Sequence, residues 1–318
     1  MFCKADEEVR SNEFGLAHFG AADEVCSECL ADRTGRPFTA LGPDALWRGT
    51  EGMDFGAYRA RIRAPAHPVV ASPLFCHRWF FMFDIMHMLD CHGVAEAVYG
   101  GVLAYLLRDA RLGANMAQRL GVVNRDRTEH YRGRSHKLPE IWQANCVQSK
   151  WGILHGATFK AAILRHACLF FKELVDRHCV SDGAADVLLR QVMAAFLRIN
   201  TILWDGPMFL DDAEMTQLRS SCEEFGVCYS RLRELSRQEG ILAWPIRPKT
   251  HKTQHIPFMA QCLNPRHCQC YGEESAMGEL VKTWQGSKAG RYFQVVQTTV
   301  LVKRLTGFLL RFELALLD

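Results

Sequence analysis

Three long stretches of apolar periodicity follow one another without a strand between them, at about 157–179, 183–203 and 211–238. No other feature of the chain constrains its fold as much. In each stretch apolar residues return every three or four positions, the spacing of one buried helix face. Between them stand "VSDGAAD" and "WDGPMFLDD", where Asp and Gly supply the caps and breaks that separate helices. Val94, Val98, Val102 and Leu106 mark a further helix, and residues 95–240 are therefore expected to be mostly helical. Before them, residues 81–83 read as a short buried strand, and residues 1–75, rich in Gly, Pro and charge, read as loops around short elements. Two more helices are expected at about 273–286 and 290–316. The fold class is thus mainly α with a small α/β remnant, its shortened sheet drawn from 1–6 and 79–84.

Composition sets the outer bounds. A chain of 318 residues that is 48% hydrophobic buries one large core or two ordinary ones. Its net charge of +3 permits a polyanionic partner without demanding one. The 13 cysteines are scattered and the first ten residues are charged, not signal-like, so reduced thiols in an intracellular, non-secreted setting are expected. Apolar runs are broken by charge before they reach 18 residues, and no membrane span is expected. The sequence holds no "GxGxxG", no "GxxxxGK[ST]", no "HExxH" and no "GxSxG", which removes the enzyme classes built on those motifs.

Several constellations remain that could carry chemistry. In "CSEC", Cys26 and Cys29 have the spacing that lets two thiolates reach one tetrahedral metal. The other half of such a zinc site could come from Cys76 with His77, from Cys91 with His92, or from Cys262, His267, Cys268 and Cys270; buried, inert cysteines are the alternative. In "FDIMHMLD", Asp84 and His87 stand three apart, either as a helix cap with a satisfied histidine or as polar support beside a catalytic acid. "IRPKTHKTQHIP" concentrates Lys249, His251, Lys252 and His255 shortly before Glu273 and Glu274. Cations near carboxylates suit phosphate handling, while acids in a first helical turn also answer the helix dipole. "RARIR" at 59–63 and "RDRTEHYRGRSHK" at 125–137, with Arg132 and Arg134, offer phosphate contacts or simply solvated loops.

Taken in order, these motifs resemble the cut-and-paste transposases with an RNase H-like DDE core, specifically the CACTA and Zisupton-like branches. In that family an Asp closing a strand is followed by a CxxC, a DxxH before a helix, an all-helical insertion, a "PK.H…H" segment and a Glu opening a helix. The resemblance implies a partial RNase H-like core over 1–94 with a CxxC loop, a helical insertion over 95–240, and the rest of the core over 241–318. It implies catalytic roles for Asp6 and Glu274, with Glu273 the near alternative, and supporting roles for Asp84 and His87. It implies DNA contacts at Lys249, His251, Lys252, His255, Arg132 and Arg134, and zinc at Cys26 and Cys29. Two Mg²⁺ or Mn²⁺ ions would serve phosphodiester cleavage and strand transfer on transposon ends and target DNA, in a nuclear protein that could be a homo-oligomer. The family's first catalytic aspartate lies upstream of the position matched by Asp6, which only five residues precede. An N-terminally truncated core without strand transfer of its own is the expectation. Rival readings are a non-catalytic DNA-binding or protein-interaction module and a zinc-stabilised helical protein.

Overall fold

The computed structural model of the chain describes residues 3–5, 16, 24–62, 75, 81–135, 137–139, 147–148, 153–154 and 159–269. Asp6, Glu273, Glu274 and both helices expected after residue 270 lie outside the described residues. The described residues are mainly helical.

The helical block is built as the periodicity predicts. We number the helices α1 to α8 in chain order, and the three long ones are α4 (Ala161–His178), α5 (Ala184–Asp205) and α6 (Asp212–Gln238). Their ends follow the local chemistry. At the start of α6, Asp211 accepts from the Glu214 amide while Glu214 reaches back to the Asp211 amide, a reciprocal cap. Gly206 ends α5, and a Cβ there would stand 2.3 Å from the Ile202 carbonyl oxygen. Asn264 closes the same end from a distance, donating to the carbonyls of Ile202, Leu203 and Pro207. By length and composition α5 alone among the described helices could cross a membrane, and 56% of its most apolar window is buried inside the fold.

Two earlier helices, α2 (Val94–Leu106) and α3 (Met116–His130), pack beside this block. A ladder of rings knits the elements together. Tyr99 of α2 stacks flat on Phe171 of α4 at 4.3 Å, Phe196 of α5 meets Phe225 of α6 at 5.5 Å, and Tyr229 meets Trp244 at 5.4 Å. Such offset or edgewise pairs add about 0.5–1.5 kcal/mol each beyond the area they bury.

Among the described residues strands are few and short. β1 (Cys3–Ala5) pairs in parallel with β2 (Phe81–Phe83), with Ala5 opposite Phe83. A small antiparallel pair, β3 (Val147–Gln148) and β4 (Ile153–Leu154), lies against α2. After β2 the chain enters a π-helical turn, Met86–Asp90, in place of the α-helix expected from Asp84. Asp84 still caps it, accepting the Met86 amide at 3.0 Å, and the Cys91 amide donates to the Met86 carbonyl five residues back.

The remaining described segments are compact but irregular. Residues 24–62 carry a 3₁₀ turn, Leu46–Thr50, and the short α1 (Phe55–Ala60), capped by Asp54. Residues 245–269 carry α7 (Pro248–Lys252), a 3₁₀ turn over Thr253–His255, α8 (Ile256–Ala260) and a last 3₁₀ turn, Pro265–Cys268. Pro248, Pro257 and Pro265 each stand in a first turn, where a missing amide hydrogen costs nothing. Just before them Trp244 adopts a left-handed φ of 58° and lies against α2 where Gly101 leaves room. A Cβ at Gly101 would stand 2.6 Å from the indole, so Gly101→Ala is expected to cost about 1–3 kcal/mol by overpacking, read as a lower urea midpoint with unchanged slope.

Candidate metal centre

The two cysteines of "CSEC" sit in a tight knuckle. The Val25 amide donates to the Ala31 carbonyl across it, and the Glu28 amide points at Cys26 Sγ from 3.4 Å. Arg61, from the "RARIR" run, grips the knuckle from outside by donating to the carbonyls of Cys26 and Ser27 at 2.8 and 3.2 Å. Thr50 accepts the Leu30 amide and donates to the Trp47 carbonyl, which ties the knuckle to the buried Trp47.

Opposite the knuckle stand two histidines four residues apart. His251 comes from α7 and His255 from the 3₁₀ turn after it, so the helical rise sets their rings on one side. Trp47 packs edgewise on both, at 4.4 and 5.4 Å between ring centres. One donor atom from each of Cys26, Cys29, His251 and His255 falls within 4.8 Å of all the others. His251 Nε2 lies 3.3 Å from Cys29 Sγ and 3.1 Å from His255 Nε2. Tetrahedral zinc with Zn–N bonds of about 2.0–2.1 Å sets two coordinating nitrogens about 3.3 Å apart, so the spacing fits. The donor set argues the same way. One imidazole nitrogen carries either one proton or one lone pair, and it cannot serve both neighbours as a cation in their midst would.

Burial alone would raise the Cys26 thiol, but the hydrogen bond from Cys29 and the charge of His255 bring it well below its ordinary value. Burial, then the adjacent Cys26 sulfur, pushes Cys29 far up. For His255 burial works downward, yet the Cys26 sulfur and the Glu51 carboxylate overcome it and push the ring up to about 9. Burial draws His251 down. Metals bind the thiolate form of cysteine and the neutral form of histidine, so a set of two thiols and two imidazoles loses protons when it takes up a cation. Behind His255, Glu51 Oε1 stands 3.1 Å from Nδ1, and Arg48 lies 3.7 Å from the other Glu51 oxygen. That is the carboxylate–histidine arrangement which orients a metal-binding ring. All four ligand residues are at most 1% exposed. A closed four-donor site leaves no open position for a substrate, which marks a structural centre, one that could hold a metal such as zinc.

The second half of the site is thus not where the sequence pointed. Cys91 is half-buried at the end of the π turn, and His92 is exposed and lies 3.3 Å from Glu96. Cys268 Sγ faces Met82 Sδ at 3.1 Å, Cys262 is partly buried beside the core and His267 is half-buried. Cys76, His77 and Cys270 lie outside the described residues. Nor are His251, Lys252 and His255 placed to touch DNA: they are 0%, 3% and 1% exposed, with the Lys252 ammonium over the Phe83 ring at 4.9 Å. Lys249 is turned inward too, its Nζ donating to the carbonyls of Cys91 and His92. Arg132 and Arg134 are exposed. The sequence did contain the missing signal, since "HKTQH" has the H-x₃-H spacing that completes a C-x₂-C pair.

Asp84 and His87 form a separate pair. Asp84 is 3% exposed and its Oδ2 lies 2.5 Å from His87 Nδ1, so each has a polar partner. Lys249 and Arg247 both reach this region, Arg247 donating to the Gly93 carbonyl, so the DxxH turn and the "RPKTHK" segment are packed face to face. Among the described residues, the Cys26, Cys29, His251 and His255 group is the one set of three or more such side chains placed to hold a metal. The acids proposed for Mg²⁺ are not among them.

No protein-family profile, no curated protein and no solved structure matches this chain.

Two outcomes follow for the purified full chain. Elemental analysis should find one zinc per chain; Cys29→Ser and His255→Ala should lose it and cost at least about 3 kcal/mol of stability, whereas Cys91→Ser retains it. Glu51→Gln should keep the fold but lower zinc affinity about 10–100-fold in competition with a chelator.

Proposed function

We propose that this chain is a zinc-clamped DNA-handling protein of the DDE transposase type. On this reading the remnant of an RNase H-like core comes from 1–94 and 241–318, and 95–240 is its helical insertion. The observation that carries the reading is the parallel pairing of β1 with β2. Ala5 is opposite Phe83, and the next residues in sequence are Asp6 and Asp84, the acid assigned to catalysis and the acid assigned to its support. Two further features support it. The CxxC and the "PK.H…H" segment meet in one cluster, and the DxxH turn packs against that same segment. Motifs that are ordered in the family and far apart in sequence are thereby neighbours.

In this reading zinc holds the scaffold, and Asp6 with Glu274, or Glu273 in its place, binds the divalent ions. When bound, Mg²⁺ or Mn²⁺ would activate the attacking oxygen and stabilise the leaving one in a phosphodiester displacement. Asp84 fixes His87 and the turn that follows β2, which keeps the end of that strand in place. A second reading, a zinc-stabilised helical scaffold without DNA chemistry, is favoured by the closure of the Cys26, Cys29, His251 and His255 cluster, which serves stability alone.

Gel shift and Mn²⁺ titration of the full chain separate the two. The transposase-type reading expects retardation of linear duplex DNA that weakens between about 50 and 200 mM salt. It also expects Mn²⁺ binding, followed by electron paramagnetic resonance, that Asp6→Asn or Glu274→Gln lowers at least about ten-fold. Stoichiometric zinc with neither DNA affinity nor Mn²⁺ binding overturns it in favour of the scaffold.

A further inference from the structure

A groove of about 540 Å³ runs over the helical block, far in sequence from the cysteine knuckle. One wall is α4, with Arg165, His166 and the exposed Leu169; the other is the last turns of α5, with Thr201, Trp204 and Asp205. Arg134, from the turn after α3, and Arg266, from the final 3₁₀ turn, complete it. Three guanidinium groups and an imidazole thus face a single carboxylate. In a chain whose net charge is only +3, that is a local concentration of positive charge.

The arrangement of the basic groups around the indole is specific. The Arg165 guanidinium lies over the Trp204 ring, 4.7 Å from its centre. Arg266 donates to the Trp204 carbonyl, and Trp204 Nε1 lies 3.3 Å from Asn200 Oδ1. The indole is therefore held, half-buried, with a cation across its face. Arg134 is steadied by His130, 3.1 Å away, which itself meets Glu173 at 2.7 Å. A preorganised stack of planar groups beside well-placed cations is what an unpaired base and its flanking phosphates require. The volume suits a small organic group, since such sites span about 300–1,000 Å³. The bases of a duplex are stacked on one another and offer no free face, so a stacking layer of this kind selects a single strand.

We propose that this groove binds single-stranded nucleic acid, with a base stacked on the Arg165 and Trp204 layer and phosphates held by Arg134 and Arg266. The proposal deepens the DNA-handling reading and rests on it for the choice of polymer, but it needs neither the divalent ions nor the acids Asp6 and Glu274.

Fluorescence anisotropy of a labelled oligo(dT), with the zinc-loaded full chain and no added Mg²⁺, tests it. Binding should weaken with salt; Arg134→Gln, which removes a phosphate partner, should lower affinity about five- to ten-fold and reduce the logarithmic salt slope by about 0.7, the share of one phosphate on a single strand, whereas Arg165→Gln, which removes the stacking layer, should lower affinity by a similar factor with the slope little changed. Arg219→Gln, on the exposed face of α6, should change nothing, and all three variants should melt with the wild type. Oligo(U) bound as tightly with the same two losses supports the groove and assigns it to RNA as well. Duplex bound more tightly than single strand, with Arg134→Gln and Arg165→Gln unaltered, overturns the groove and leaves the wider DNA reading standing. No affinity for any of the three polymers overturns both.

Discussion

The shape of residues 24–62 depends on one convergence, that of Cys26 and Cys29 with His251 and His255. Residues 24–62 contain a single turn of 3₁₀ helix and six residues of α-helix, too little regular structure to fold by themselves. They hold their shape because the knuckle faces two imidazoles and because Trp47 fills the space behind them. The span bridged is 222 residues between Cys29 and His251. By chain-entropy reasoning, a fixed link across so long a loop disfavours the unfolded chain by on the order of 5 kcal/mol, comparable to the whole net stability of many domains. A centre of this kind stabilises by connecting, and its neighbours reflect that. Arg48 donates to Gln254, Gln254 donates to the Cys222 carbonyl of α6, and the centre is thereby joined to the helical block.

The same short segment, 247–255, serves two sides at once. Its histidines face the knuckle, while Arg247 and Lys249 reach the carbonyls that end the π turn after β2. The carbonyls of Cys91, His92 and Gly93, in the link between that turn and α2, are satisfied by these two basic side chains. A run of positive charge that looked like a surface for phosphate is largely consumed in holding the interior together. Positive charge available to a polyanion lies instead on the helical block, in a groove assembled from α4, α5 and two turns.

How much of this could be seen beforehand depended on how local the cause was. The boundaries of α4, α5 and α6 were legible to within a few residues because Gly206 and Asp211 end and begin helices by chemistry within one turn. β2 was legible as a short apolar run, Phe81, Met82 and Phe83, ahead of a cap. Half of the candidate metal site was legible for the same reason, since Cys26 and Cys29 stand at a spacing of three. The other half was not, because nothing near "CSEC" says which distant histidines will meet it, and Lys249 and Lys252 coloured the reading of His251 and His255 as a basic patch. Arg165, Trp204 and Arg266 escaped notice altogether. They belong to three separate elements, and only the packing of α5 between α4 and the last 3₁₀ turn makes them neighbours.

The placement of the four ligands has a consequence for synthesis. The cysteines leave the ribosome early and the histidines more than two hundred residues later, after α4, α5 and α6 have been made. During that interval the helical block has its own aromatic core to assemble, whereas two thiols three residues apart have no imidazole to share a cation with and are open to closing on each other as a disulfide. The four donors of this site can therefore come together only after the whole helical block has been made.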